Sequence, residues 1–251
     1  MKKFIESISN VWKIEELKNR ILITLGLLLV YRFGAQVTLP GIDATQLGNL
    51  AGQTKEGIGS ILDMFTGGAF SQASVFALGI MPYISASIVV QLMGIAIPYL
   101  QKLQSDGESG RKKINQITRW LTIGITLVQG PTYIYNLYRT LPSNAFLLGF
   151  NSFEFLFSSV VILVTGTIFA MWLGEKITDK GIGNGISLLI MVGILARLPQ
   201  AFIQEFTTRV TNNNGGPMLL VIEIIIWLLV IICCVLLVMA VRRIPVQYAR
   251  R

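Results

Sequence analysis

Long apolar runs, separated by short polar and basic stretches, dominate this chain of 251 residues. A helix needs about 20 apolar residues to cross a bilayer core of ~30 Å, because it rises ~1.5 Å per residue. Six runs approach that length and predict an all-α, polytopic membrane protein. The predicted spans cover residues 21–37, 74–97, 120–138, 155–173, 184–203 and 218–241.

A shorter apolar segment, residues 58–71, lies just before the second span. It is too short to cross a membrane, and it contains the consecutive glycines Gly67 and Gly68. Irregular backbone persists at membrane depth only where protein or a water-filled cavity satisfies its amides. A re-entrant element is therefore predicted, and with it a pathway through the membrane rather than an anchor alone.

The composition excludes several classes of protein. Hydrophobic residues make up 53% of the chain and charged residues only 14%, which is typical of neither a soluble domain nor a disordered one. Histidine is absent from the sequence, which removes histidine acid–base chemistry and histidine-ligated metals. We find no nucleophile–base pair, phosphate-binding loop or metal-ligand cluster, so we expect no enzyme, no cofactor and no metal site.

The distribution of Lys and Arg predicts an orientation. Sixteen of them lie in residues 1–20, 98–119, 174–183 and 242–251, whereas the connections on the other side hold only three. The positive-inside rule places the richer side, and so the N-terminus, in the cytoplasm. The predicted cytoplasmic segments are therefore an amphipathic arm over 1–20, a basic loop over 98–119, a turn over 174–183 and the start of a further loop over 242–251. Residues 38–73 form the extracytoplasmic segment.

Few polar or helix-breaking residues interrupt the spans. Pro82 lies inside the second span and predicts a kink, since it removes a backbone hydrogen bond. Arg32, Arg197 and Glu223 lie toward the outer ends of their spans, and Arg32 can snorkel to the interface. With no charge predicted at the bilayer centre, no site for a coupling proton or sodium ion is visible.

Two further patterns concern close packing. Gly181, Gly183 and Gly185 surround an asparagine and predict a tight helix entry or a close helix approach. Ile80 and Ile84 are four residues apart and share a helix face, and the fifth span repeats that spacing. By spacing alone, these isoleucines indicate packing or lipid contact.

Several motifs resemble the SecY family, the central subunit of the protein-conducting Sec channel. Residues 64–93 (MFTGGAFSQASVFALGIMPYISASIVVQLM) resemble its plug and second helix, and residues 172–187 (WLGEKITDKGIGNGIS) resemble its second signature. Shorter matches follow the family's order at 31–42, 107–113 and 242–251. The resemblance implies six transmembrane helices out of ten, in a channel of two pseudo-symmetric halves with a short re-entrant plug helix.

The resemblance also implies roles for individual residues. The pore ring would consist of Ile80, Ile84, Ile186 and Ile190. The plug, within residues 58–71, would include Ile61, Leu62, Met64, Phe65, Gly67 and Gly68. The lateral-gate helix region would include Ser85, Ile88, Gln91, Leu92 and Gln129. Partners would dock near Arg242, Arg243, Arg250 and Arg251.

The implied function is a passive, gated conduit for unfolded secretory proteins, which also releases membrane helices sideways into lipid. The implied location is the bacterial cytoplasmic membrane. The implied partners are SecE-like and SecG-like small subunits, a SecA-type motor ATPase, the ribosome, signal sequences and unfolded preproteins, membrane lipids, and the remaining C-terminal part of the same protein.

Two other hypotheses stay open from the residues alone. A chain with broken helices also suits half of a secondary transporter, which would bind a small solute near Pro82. A structural membrane subunit without a pathway is the third hypothesis, in which the isoleucines only pack.

Overall fold

The computed structural model describes residues 13–47, 58–146, 152–210 and 216–240. Eight α-helices occur in these residues: α1 (Glu15–Gly34), α2 (Ile58–Phe65), α3 (Met81–Ala96), α4 (Pro98–Ser105), α5 (Gly107–Thr140), α6 (Ser152–Lys180), α7 (Gly185–Val210) and α8 (Gly216–Met239). Two short 3₁₀ helices, Ala44–Leu47 and Ser143–Ala145, join them, and β pairing in the described part is limited to two isolated bridges. The prediction of an all-α protein is confirmed.

The chain divides into two compact units, Met1–Arg197 and Leu198–Arg251. The first unit contains the packed core, in which α5 lies against α3, α4 and α6, and α1 lies against α6. The second unit contains α8, which has no charged residue except Glu223. Within that unit, Arg209 pairs with Glu205 at 2.8 Å and with Glu223 at 2.7 Å.

A stripe of small residues lets the neighbours of α5 approach closely. Thr118, Thr122, Thr126 and Gly130 are buried at four-residue spacing along one face. Each of the three threonine hydroxyls donates to the carbonyl four residues earlier, at 2.7 to 2.9 Å. The helix therefore satisfies these hydroxyls itself and presents a face without bulky side chains.

The second predicted span differs from the structure. Its helix begins at Met81 rather than at residue 74, and Pro82 lies in the first turn, where its missing N–H costs nothing. The prediction of a kink at Pro82 is therefore wrong. Residues before it form turns, because Gly79 has a φ of +53° and Val75 donates to the carbonyl of Val37 at 2.9 Å.

The predicted basic loop over 98–119 is helical instead, as α4 and the start of α5. The chain turns by 103° between α3 and α4, next to Pro98. Gly107, with a φ of +68°, begins α5. A Cβ on Gly110 would collide with the carbonyl of Leu103, so this glycine permits a close approach rather than flexibility.

Three described helices are long and apolar enough to cross a membrane, namely α6, α7 and α8, and the bent pair α3–α4 is a fourth candidate. The other two predicted spans lie in α1 and α5, which are long enough but more polar. Five charged residues lie in α1 alone. Most helices also extend beyond the predicted limits: α6 continues through the predicted turn at 174–183 as far as Lys180.

The connection between α6 and α7 is a tight hairpin. A Cβ on Gly185 would collide with the Gly174 carbonyl, and one on Gly181 would collide with the Thr24 hydroxyl. Gly183 has a φ of +70°. The side chain of Asn184 accepts hydrogen bonds from the first N–H groups of α7 and caps that helix. The prediction of a tight helix entry at these glycines is confirmed.

Candidate functional site at the broken helix and its groove

The segment 58–71, called the plug segment below, starts with the two turns of α2. Gly67 and Gly68 follow with φ values of +65° and +95°, a region that only glycine enters at little cost. Thr66 closes the helix end, since its hydroxyl donates to the carbonyl of Leu62 at 3.0 Å. The segment therefore reverses direction directly after α2, as a re-entrant element must.

Asp63 of α2 forms the main polar contact of the plug segment. Its carboxylate lies 2.7 Å from the guanidinium of Arg197 on α7 and accepts a hydrogen bond from the backbone N–H of Ser71 at 2.8 Å. Arg197 also donates to the Ser71 hydroxyl at 2.9 Å. These three residues form a closed network, in which the Ser71 backbone N–H and the Arg197 guanidinium both donate to the Asp63 carboxylate and the Ser71 hydroxyl accepts from Arg197.

A second arginine holds the glycine turn. Arg32, near the end of α1, donates to the carbonyl of Gly67 at 2.8 Å. On the other side, a Cβ on Gly67 would lie 2.8 Å from the Cα of Gly193, and one on Gly193 would lie 3.0 Å from the Phe65 carbonyl. The backbones of the plug segment and α7 are thus in direct contact.

Sequence reasoning missed this network. Arg32 was predicted only to be able to snorkel to the interface, whereas the structure shows that its guanidinium donates to the carbonyl of Gly67. The available signal was Asp63, the single charged residue between Gly57 and Gln101. A lone carboxylate in an apolar region needs a cation, and Arg32 and Arg197 were the isolated cations in apolar runs.

An open groove borders the plug segment. It has a volume of about 520 Å³ and lies between the plug segment, the first turns of α3 and the second half of α5. Leu62, Thr66 and Phe70 supply one wall, and Ser85 and Gln129 belong to the others. Most of the groove surface is apolar, and a few hydroxyl and amide groups line it as well. Such a surface suits an apolar peptide segment, whose backbone polar groups can bind those hydroxyls and amides.

The five predicted gate residues are all exposed. Two of them, Ser85 and Gln129, line the groove from opposite helices. The other three follow along the same helix as Ser85, on the face away from the buried stripe of Pro82, Ala86, Val90 and Gly94. This exposed face of α3 comprises Ser85, Ile88, Gln91 and Leu92.

Tyr133 connects the groove to the plug segment. Its hydroxyl donates to the carbonyl of Phe70 at 2.8 Å, and the two rings lie 4.9 Å apart at an angle of 57°. Both side chains line the groove. Because Phe70 precedes Ser71, the groove wall is one residue away from the network of Asp63 and Arg197.

Three of the four predicted ring isoleucines belong to or border one apolar cluster. Ile80 is 4% exposed within an apolar cluster with Leu173, Ile177 and Leu189, and Ile84 and Ile186 pack against that cluster. Ile190 is half-buried one turn further along α7. The ring stays a prediction, because a pore needs walls that these residues do not form alone.

The predicted docking residues Arg242, Arg243, Arg250 and Arg251 lie outside the described residues. Within the part of the chain that the structure describes, no group of three His, Cys, Asp or Glu side chains lies close enough to hold a metal ion. The site therefore consists of the plug segment, its two arginines and the groove.

These features define a class: a helical membrane protein with a re-entrant element seated between its helices. A model of the SecY family matches residues 74–251, well over half of the chain. The chain belongs to the SecY family.

Individual relatives agree with this assignment. A protein of Haemophilus influenzae named protein translocase subunit SecY is 49% identical over 192 residues, which are 75% of this chain and 42% of that protein. The protein of the same name from Escherichia coli K12 is 49% identical over 186 residues, 74% of this chain and 42% of its own length. The chain thus spans less than half the length of these curated relatives.

One solved structure concerns the plug domain of the SecY protein and the closed state of its translocation channel. It is 19% identical, covers 84% of this chain and 41% of that chain, and has a TM-score of 0.49.

Proposed function

We propose that the chain is the N-terminal part of the central subunit of a protein translocation channel, a passive and gated conduit. The observation that carries this proposal is the plug segment, a broken helix that contacts two long helices at its glycine turn and borders an open apolar groove. Membership of the SecY family supports the same function.

In this proposal the plug segment blocks the pathway, and the collar of Ile80, Ile84, Ile186 and Ile190 seals it. Branched apolar side chains exclude water and ions from a narrow neck. They form no directional bonds, so they adapt to any sequence that passes. The groove between α3 and α5 is one side of the lateral gate, where the apolar core of a signal sequence binds before it leaves for lipid.

The energy for transport comes from partners in this proposal. A SecA-type motor ATPase or a translating ribosome docks on the cytoplasmic side, SecE-like and SecG-like subunits complete the complex, and the C-terminal part of the protein supplies the opposite wall. The Lys and Arg distribution favours a cytoplasmic N-terminus in a bacterial cytoplasmic membrane. No chemical step on the substrate is required.

Site-specific photocrosslinking tests the proposal. A photoreactive residue replaces Gln129 or Ile84 in the full-length protein, and a secretory chain is stalled during translocation. We expect adducts at both positions that depend on a functional signal sequence. The control is Phe157, which is 65% exposed on the α6 face and lines a separate apolar groove against α5.

Efficient translocation without adducts at Gln129 and Ile84 would remove the groove and the ring from the pathway. Saturable binding of a small solute near Pro82, without any adduct, would instead favour a secondary transporter.

A further inference from the structure

We propose that the ion pair of Asp63 and Arg197 is a latch that sets the stability of the closed plug segment, and that Phe70 and Ser71 couple this latch to the groove. The inference rests on the proposed function and adds a regulatory contact to the same site.

The latch is a contact between two opposite charges. Asp63 is the single charged residue of the plug segment, and its partner Arg197 lies on a different helix. Arg32 adds a hydrogen bond to a neutral carbonyl, which is weaker than a contact between two opposite charges. Removal of one partner therefore leaves the other charge uncompensated and weakens the closed position more than any other single contact of this segment.

Both side chains of the ion pair are partly exposed to solvent. The side chain of Asp63 is 12% exposed and that of Arg197 is 35% exposed. A fully buried pair would be too costly to separate, whereas a fully exposed pair would contribute almost nothing. Arg197 can remain in contact with water when the plug segment leaves, so the pair is strong enough to hold and able to open.

Ser71 contacts both members of the latch. Its N–H donates to the carboxylate of Asp63, and its hydroxyl accepts from Arg197. The adjacent Phe70 lines the groove and is held by Tyr133. A bulky apolar occupant that pushes the Phe70 ring far enough to displace its carbonyl from Tyr133 must also move the Ser71 N–H, since both groups belong to one planar peptide unit.

Backbone strain next to the latch favours release. Ala73 has a φ of +44°, which is costly for a residue with a Cβ. Such a conformation persists only while surrounding contacts enforce it, and here the carbonyl of Ala73 accepts from Leu39 at 2.8 Å. The N–H of Ala73 also donates to the carbonyl of Phe70 at 3.3 Å, so a movement of Phe70 removes one of the contacts that hold the strain.

The test uses the complete channel with its partner subunits in planar bilayers and compares Asp63→Asn, Arg197→Gln and the double variant. We expect each single variant to raise the spontaneous open fraction of the empty channel by roughly tenfold to a hundredfold. The double variant should open no more often than the single ones, because both remove the same contact. Glu175→Gln, which breaks the partly exposed ion pair with Arg119 at 3.1 Å, is the matched control and should leave the open fraction unchanged.

A second measurement follows the plug segment itself. Spin labels at Met64→Cys and Gln129→Cys, with Cys233 and Cys234 replaced by Ala, report the distance between the plug segment and α5. We expect Asp63→Asn to broaden this distance distribution without any ligand. A synthetic signal peptide should do so in the wild type and much less in Phe70→Ala, which keeps the ion pair but removes the contact with the groove.

The outcomes separate the two proposals. An unchanged distance distribution in both Asp63→Asn and Arg197→Gln, in protein that remains protease-resistant, would overturn the latch. Additive effects in the double variant would also overturn it. The spin-label distance could change in the variants while none of the variants or peptides gives any conductance in the bilayer. That outcome would support the latch and contradict the channel function.

Discussion

Two regions of this chain bring backbone against backbone through glycine, and they are stabilised in different ways. In the hairpin between α6 and α7, Gly185 lies against Gly174, with the fully buried Ile177 beside them and a side-chain cap on α7. At the plug segment, Gly67 lies against Gly193, but an ion pair, a second arginine and an open groove surround the contact. On our proposal the first contact is permanent because apolar burial holds it, whereas the second contact, held by polar groups beside a cavity, can be released.

The largest effect is expected for Gly185→Ala. Its Cβ would meet the carbonyl of Gly174, a backbone atom that cannot move aside, so we expect a loss of about 3 kcal/mol in the free energy of unfolding. Thermal unfolding of the purified protein measures it. Gly124→Ala is the control, since nothing lies within 4 Å of its Cβ and it should be neutral or slightly stabilising. Equal stability of the two variants would contradict a rigid hairpin.

A smaller and local effect is expected for Gly68→Ala. The new Cβ would collide with the guanidinium of Arg197 at a φ of +95°, which disfavours the closed plug segment by about 1–3 kcal/mol. Ion leak through the reconstituted channel should rise while the melting temperature stays near that of the wild type. Ala73→Gly relieves a positive φ and should act in the opposite direction. If the melting temperature fell as far as in Gly185→Ala, the glycine contact of the plug segment would be as hard to release as that of the hairpin.

Removal of the α7 cap should have a moderate effect on the hairpin alone. Asn184→Ala leaves the N–H groups of Ile186 and Ser187 without their acceptor, at a cost of about 1 kcal/mol. Thermal unfolding should detect this loss, with unchanged ion leak. Asn184→Asp retains a cap and should restore most of the stability; equal losses in both variants would argue against capping as the cause.

The smallest effect is expected for Arg119→Gln, which breaks the ion pair between α5 and α6. The arginine side chain is half exposed, so the free energy of unfolding should fall by less than ~1 kcal/mol, and less still at high salt. Lys112→Gln, whose pair with Glu108 is almost fully exposed at 3.9 Å, serves as the baseline. A larger loss than that of Asn184→Ala would contradict this ranking.

Local signals were sufficient for much of the fold. The length of the apolar runs located α6, α7 and α8, and Gly67 and Gly68 located the break in the plug segment. Pro82 was an equally local signal, but the predicted kink is wrong because proline also fits the first turn of a helix, where it lies here. The predicted basic loop over 98–119 is helical instead, and its Gly110 serves close packing against Leu103.

The polar network could not be predicted in the same way. Arg197 contacts Ser71 across 126 positions in sequence, and no periodicity connects them. Hydrophobic patterns show which face of a helix is buried, but they do not show which cation faces which carboxylate. The groove is also invisible in sequence, because it depends on how α3, α5 and the plug segment diverge in space.

The long separation between Ser71 and Arg197 also sets an order of assembly during synthesis. Ribosomes add about 5–20 residues per second, so Ser71 and Asp63 leave the ribosome several seconds before Arg197 exists. Over the 126 positions between Ser71 and Arg197, that delay is about 6–25 s. Throughout this interval the carboxylate of Asp63 has no cation on α7. The nascent plug segment therefore acquires its ion pair only after α7 has been made, and until then its carboxylate must be satisfied by water or by another part of the chain.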